Sequence, residues 1–183
     1  MDFELVLGSL VTELDRHNIR YGAIGGFAVG VQGAPRITAD LDLLVHRDDL
    51  PRFHDILSGL GYERIARPEN TSHYRHPVHA LGGIDLIHAF RKYALAMLER
   101  AKPHTVFGGT HTIDVLQPED IIDLKVQAIA NDSSRRAHEV ADIETLMSIH
   151  GSRLDWNRIQ AFYDLFEMEE GTHALRAGFD HAE

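Results

Sequence analysis

The sequence predicts an α/β (α+β) protein. A short mixed β-sheet flanked by helices should occupy residues 1–116, with a helical C-terminal part, 117–183, packed on it as a single unit. Three observations predict this. Up to Leu116, short apolar runs alternate with stretches of helical period, and the pairs Gly25-Gly26, Gly82-Gly83 and Gly108-Gly109 punctuate them. Asp40-Leu41-Asp42-Leu43 alternates acid with leucine, the two-residue period of a half-buried strand. Beyond Gln117 amphipathic helical runs follow one another. A chain of 183 residues with 44% apolar content has enough material for a real core.

Composition narrows the function classes. The net charge is −10, from 28 acidic and 18 basic residues. That balance argues against a protein that coats DNA or RNA electrostatically, though a tRNA or protein can dock on a local basic patch. There is no cysteine, which excludes disulfides, thiolate metal sites and cysteine nucleophiles. The start, MDFELVLGSL, lacks a basic n-region, and no apolar run approaches membrane-spanning length. A cytoplasmic protein with no membrane partner is the expectation.

The elements are justified in order. Residues 2–18 carry Phe3, Leu5, Val6, Leu10, Val11 and Leu14 near a helical stripe. Tyr21–Ile24 reads as a strand running into Gly25-Gly26. A short helix, Phe27–Gln32, leads to a turn at Gly33-Ala34-Pro35 and then a strand through Val45. Asp48 and Asp49 are expected to cap a helix with Pro51 in its first turn, Phe53, Ile56, Leu57 and Leu60 inward, and Gly61 at its end. Strands are expected at 62–66, 72–78 and 84–87. A helix from Arg91 to Arg100 should stop at Lys102-Pro103, before a hairpin of 105–107 and 110–116 about Gly108-Gly109. Pro118, Glu119 and Asp120 open a helix whose buried side holds Ile121, Ile122, Leu124, Val126 and Ile129. Ser133-Ser134 should cap a helix to His150. Two amphipathic segments, 154–166 and 168–179, complete the chain, with Trp156, Phe162 and Phe166 in their core.

The chemistry-bearing stretch is Tyr21 to Val45. Asp40 and Asp42 share one strand face, about 7 Å apart from the strand rise. Two such carboxylates repel, and a divalent cation relieves the repulsion. Gly25-Gly26 brings main-chain N–H groups close to a phosphate without Cβ atoms in the way. The bland reading is an exposed strand end and an ordinary turn. Arg36 and Thr38 share parity with Asp40 and Asp42 if the strand begins early. Arg36 would then meet a triphosphate or simply pair with Asp40, and Thr38 would orient a carboxylate. Asp85, between Ile84 and Leu86, is an acid in an apolar strand and needs a partner or a metal. His73, His76 and His79 have neither strand nor helical-ligand spacing and are expected on the surface or in a substrate loop. His88 is expected to share the face of Asp85 and border the site.

The stretch GGFAVGVQGAPRITADLDLLV resembles the signature of the nucleotidyltransferase superfamily, a Gly-Gly or Gly-Ser turn followed by Asp-x-Asp on the next strand. More narrowly it resembles the AbiEii-type abortive-infection and toxin–antitoxin nucleotidyltransferases. The resemblance implies a DNA polymerase β-like nucleotidyltransferase fold and transfer of a nucleoside monophosphate from an NTP, ATP among the possibilities. The implied acceptor is a tRNA 3′ end or a protein hydroxyl, and an antitoxin is a possible partner. It implies Mg²⁺ (or Mn²⁺) on Asp40 and Asp42, with Asp85 as third ligand or as base. The text EDIIDLKVQAIANDSSRRAHEVADIETL is similar to the family's later segment. On that match Lys125 is the phosphate-holding lysine, Arg135 or Arg136 the arginine, and Asp142 the aspartate. Val140-Ala141 depart from the usual pattern, so Asp142 is alternatively a structural partner of Lys125. Two rival functions stand beside this: an aminoglycoside- or lincosamide-type antibiotic nucleotidyltransferase, and a non-catalytic binding module that keeps the fold.

Overall fold

Seven strands make one mixed sheet among the residues that the computed structural model describes, 1–34 and 36–165. They are β1 (Tyr21–Ile24), β2 (Asp40–His46), β3 (Glu63–Ala66), β4 (Thr71–Arg75), β5 (Gly83–Ala89), β6 (Lys102–Val106) and β7 (His111–Val115), in the order β3-β4-β5-β2-β1-β7-β6. β2 runs parallel to β5 and β1 parallel to β7; the remaining neighbours are antiparallel. Helices α1 (Phe3–Arg16), α2 (Gly25–Val31), α3 (Leu50–Gly59) and α4 (Lys92–Arg100) accompany the sheet. Helices α5 (Pro118–Asn131), α6 (Arg136–His150) and α7 (Trp156–Leu165) follow. The chain divides into two units, the first being Met1–Val31 with Arg36–Gln117. The second takes a short piece starting at Gln32 and the chain from Pro118 on.

In the first unit the core lies on the sheet. Leu41, Leu43, Leu44 and Val45 of β2 and Ile84 of β5 are fully buried, as central strands flanked on both sides require. α1 is capped by Asp2, whose carboxylate accepts from the Leu5 amide at 3.2 Å, and it buries Val6, Leu7, Leu10, Val11 and Leu14. Leu7 is buried where Leu5 was expected, Leu5 being 58% exposed, while Val6, Leu10, Val11 and Leu14 keep the predicted stripe. Phe3 stacks on Phe27 of α2 at 5.1 Å between ring centroids.

The structure corrects several local expectations. β4 ends at Arg75, short of the predicted 72–78, because Pro77 cannot continue a ladder. Lys102-Pro103 does not merely stop a helix. It opens β6, an edge strand, where a proline costs no interior ladder bond. Asp49 makes no cap: it is fully buried and accepts from the Arg20 amide at 3.0 Å, Arg20 Nε at 2.8 Å, Arg20 Nη2 at 3.0 Å and Arg52 Nη2. Burial pushes the Asp49 carboxyl up, but the hydrogen bonds from Arg20 and Arg52 outweigh it and hold the group at about 2.

In the second unit α5 packs against α6 and α7. Asp132, rather than Ser133-Ser134, provides the turn before α6, its Oδ1 accepting from the Ser134 amide and hydroxyl at 3.0 and 2.7 Å. Leu124 is only half-buried, and Asp120 and Asp123 are buried in its stead. Trp156 is likewise half-buried, whereas Ile159, Phe162 and Tyr163 form the apolar side of α7. Phe166 and the expected segment 168–179 lie outside the described residues.

Candidate active site

The site is built on the pairing of β2 with β5. Asp40 and Asp42 sit at alternate positions of β2 and are half-buried, while the leucines between and after them are sealed in the core. Asp42 is in register with Asp85 on β5, and Asp40 with Gly83. Registered residues of neighbouring strands point the same way, so all three carboxylates share one face, with about 4.8 Å between strands. On its other side Asp42 is in register with Ile24, the last residue of β1, which delivers Gly25 directly against it.

Gly25 has φ +64°, and a Cβ there would lie 2.1 Å from Asp42 Oδ2. Both conditions exclude a side chain: the backbone is left-handed and the space is taken by the carboxylate. At Gly26 a Cβ would meet Thr38 Cβ at 3.0 Å and Arg36 Nε at 3.3 Å. The start of α2 is therefore packed by Asp42, Thr38 and Arg36 together. Residues 36–39 are not in β2, so the parity expected to align Arg36 and Thr38 with the acids does not hold. Thr38 instead donates its hydroxyl to the Asp40 main-chain carbonyl at 3.2 Å and fixes the entry to the strand.

His73, expected on the surface or in a substrate loop, and Arg75, not singled out from the sequence, complete this face. His73 is in register with Asp85 across β4–β5, and its Nδ1 lies 3.1 Å from Asp85 Oδ1. It is not a surface or loop histidine; its Nε2 is 3.2 Å from Thr71 Oγ1. Arg75 Nη1 donates to Asp85 Oδ1 at 3.0 Å, and Nη2 is 3.6 Å from Asp40 Oδ2. Burial would lower the Arg75 guanidinium, but the hydrogen bond and the charges of Asp85, Asp40 and Asp42 raise it. The signal for both was present in the shared parity of residues 71, 73, 75 and 85 once β4 and β5 are paired. His88 falls on the opposite face from Asp85, since it lies an odd number of positions, three, further along the strand. It is buried with Ser72 Oγ at 2.9 Å, and burial lowers its imidazole.

Asp40 and Asp42 fit a hard divalent cation. They are half-buried oxygen donors on one face, with Asp42 Oδ2 set against the bare main chain of Gly25. Asp85 fits less directly, because Arg75 and His73 already hold its Oδ1. Among the described residues no three His, Asp or Glu side chains converge as a ready metal cage.

Lys125 and Asp142 belong to the second unit and are brought together there. Lys125 Nζ donates to Asp142 Oδ2 at 2.5 Å and to Glu139 Oε2 at 2.8 Å, all three residues being buried. Arg135 Nη2 reaches the other oxygen of Glu139 at 2.5 Å, one turn away on the same helix face. Burial pushes the Glu139 carboxyl up, but Lys125 and Arg135 hold it below the usual range. Glu139 was not foreseen; its spacing of three from Asp142 on α6 is the signal that pairs them.

Solved structures share this fold. The antibiotic-resistance factor ANT(2″)-Ia in solution superposes with TM-score 0.69 at 13% identity, covering 99% of this chain and 100% of that one. The lincosamide antibiotic adenylyltransferase LnuA, lincomycin-bound, gives 0.57 at 15%, covering 80% and 97%. A putative nucleotidyltransferase from Thermotoga maritima gives 0.57 at 11%, covering 76% and 92%. No curated protein matches the sequence. Among the described residues no helix is long and apolar enough to cross a membrane. Residues 4–175 match the family described as uncharacterised nucleotidyltransferase, and with the acidic face of β2 and β5 set against Gly25 the chain belongs to that family of enzymes.

Proposed function

We propose that this nucleotidyltransferase moves a nucleoside monophosphate from an NTP to an acceptor hydroxyl, the hydroxyl oxygen bonding to the α-phosphorus as pyrophosphate leaves, with Mg²⁺ (or Mn²⁺) held by Asp40 and Asp42. One observation carries the reading: the two carboxylates of β2 lie on one face with Asp85 in register, and Gly25 is packed against Asp42 with no room for a side chain. When bound, the cation supplies charge neutralisation at the phosphates and acidifies the attacking hydroxyl. Gly25 and Gly26 offer main chain to the phosphates, and Arg36, next to Gly26, is the side chain placed to meet their charge. Thr38 holds the main chain of Asp40. Asp85 takes the proton of the acceptor hydroxyl on the oxygen that Arg75 and His73 do not contact. Lys125, held between Glu139 and Asp142, keeps α5 and α6 in register instead of binding phosphate.

For the acceptor, the net charge of −10 favours a small hydroxylated cation of the aminoglycoside kind. The whole-length fold likeness to ANT(2″)-Ia, which is also known in complex with adenylyl-2″-tobramycin, supports the same direction. The GGFAVGVQGAPRITADLDLLV resemblance favours instead a tRNA 3′ end or a protein hydroxyl, with an antitoxin as regulator. The experiment is incubation with Mg²⁺ and each labelled NTP in turn, offering aminoglycosides, lincosamides, total tRNA and cell protein separately. Asp42→Asn runs alongside. Label on an antibiotic, lost in the variant, supports the first acceptor; label on tRNA or protein supports the second. Failure to consume any NTP with any acceptor overturns the reading.

A further inference from the structure

Arg75 closes β4, and its guanidinium crosses the carboxylate face from Asp85 to Asp40. Gly83 admits it. Gly83 is in register with Arg75 on one side and with Asp40 on the other. A Cβ on Gly83 would lie 1.9 Å from Arg75 Nη1 and 2.7 Å from Asp40 Oδ1. The guanidinium thus lies flat over bare main chain, in a slot that any other residue at 83 would fill. Nη1 also donates to the Tyr74 carbonyl at 2.9 Å, which ties the side chain to its own strand. A positive group so placed relieves the repulsion among Asp40, Asp42 and Asp85, the task otherwise left to a metal.

Its two ion pairs are unequal. The contact with Asp85 is a hydrogen bond of 3.0 Å; the contact with Asp40 is 3.6 Å and long for one. A divalent cation arriving at Asp40 and Asp42 brings twice the charge and draws on the Asp40 carboxylate that Arg75 faces. We propose that Arg75 is a positioning residue that competes with the divalent cation for Asp40 while retaining Asp85. Metal on Asp40 and the Arg75–Asp40 contact exclude one another. Arg75 then swings onto Asp85 alone and keeps that carboxylate aimed at the acceptor side. The inference rests on the metal reading of Asp40 and Asp42 above.

The test is Mn²⁺ binding without nucleotide, followed by the spin resonance of free Mn²⁺, for the wild type and Arg75→Gln. Thermal melting of both shows that each is folded. Removing the competing charge is expected to tighten Mn²⁺ binding by about tenfold or more, since a unit charge at about 4 Å is worth this much even when well screened. Equal or weaker binding by a folded Arg75→Gln overturns the role of Arg75 and leaves the metal reading standing. Absence of binding by both proteins overturns the metal reading and the inference with it. A second measurement needs no variant: the Arg75 Nε–H resonance of the wild type, followed by NMR during Mg²⁺ addition. It is expected to shift along the binding curve of the ion, and a resonance unmoved through saturation overturns the proposal.

Discussion

At the scale of single residues, Arg75 and His73 stand against Asp85 on the face that carries Asp40 and Asp42. Asp40, Asp42 and Asp85 betray themselves as carboxylates in otherwise apolar strands, a pattern that costs too much without a partner. Arg75 and His73 look unremarkable in the sequence, because only the β4–β5 register turns them toward Asp85. Gly25 makes the most specific residue-scale prediction. Gly25→Ala places a methyl group 2.1 Å from Asp42 Oδ2 on a left-handed backbone. It should lower kcat for monophosphate transfer at least about 100-fold, the scale on which misplacing a catalytic group is felt. It should also cost about 1–2 kcal/mol of stability, read from urea unfolding. Gly30→Ala, at a glycine with open space around it, should change neither by a comparable amount. Asp42→Asn should likewise abolish transfer while melting near the wild-type temperature, because its carboxylate is half-exposed and not part of the core.

At the scale of elements, helices and strands followed the apolar period closely, but the ends did not follow the capping residues. Asp48-Asp49 before a Pro-bearing helix and Ser133-Ser134 before another are ordinary cap signals. In the fold Asp49 is drawn inward by Arg20 and Arg52, and Asp132 supplies the turn before α6. Long-range charge pairing outbids a local cap when the carboxylate is buried. Asp49 joins the entry of β1 to the first turn of α3, so Asp49→Asn should destabilise by about 1–2 kcal/mol at neutral pH, since the carboxylate is buried but both arginines reach solvent. The sign of its pH dependence follows from a carboxyl held at about 2 against an ordinary 3.8. Its contribution is fully present above the ordinary value and lost as pH falls toward the lowered one. The gap between wild type and Asp49→Asn in urea midpoint should therefore be constant near neutrality and shrink below pH 3.8. In the second unit, Lys125→Met removes the ammonium that Glu139 and Asp142 share, leaving Glu139 with Arg135, and should cost about 3 kcal/mol. Adding Glu139→Gln and Asp142→Asn should restore most of that. Restored stability with restored transfer fits a structural lysine; restored stability without transfer would return Lys125 to the chemistry.

At the scale of the whole molecule, the mixed sheet with its flanking helices was readable because the inner strands β1, β2, β5 and β7 carry apolar runs, whereas the exposed edge strands β3 and β6 carry little such signal. The order of the strands was not readable, since pairing depends on contacts far apart in the chain. Net charge acts at this scale too. If the acceptor is a small polycation, its KM should rise steeply as salt is raised from 50 to about 300 mM, while KM for the NTP changes little in that direction. An RNA acceptor on this acidic chain would depend on a local basic patch, and competition by other polyanions would reveal it. The strand order has one further consequence, for how the protein is born. The two central strands, β1 and β2, gain their outer neighbours only when β5 and β7 have left the ribosome, and the link of Ala23 to Val115 spans nearly the whole first unit. Such distant parallel pairing closes late. A nascent or truncated chain that ends before β5 holds the Gly-Gly turn and two of the acids but no third carboxylate. The carboxylate face is therefore finished by folding, when β5 closes onto β2, and not by the early appearance of the Gly-Gly turn and its two acids.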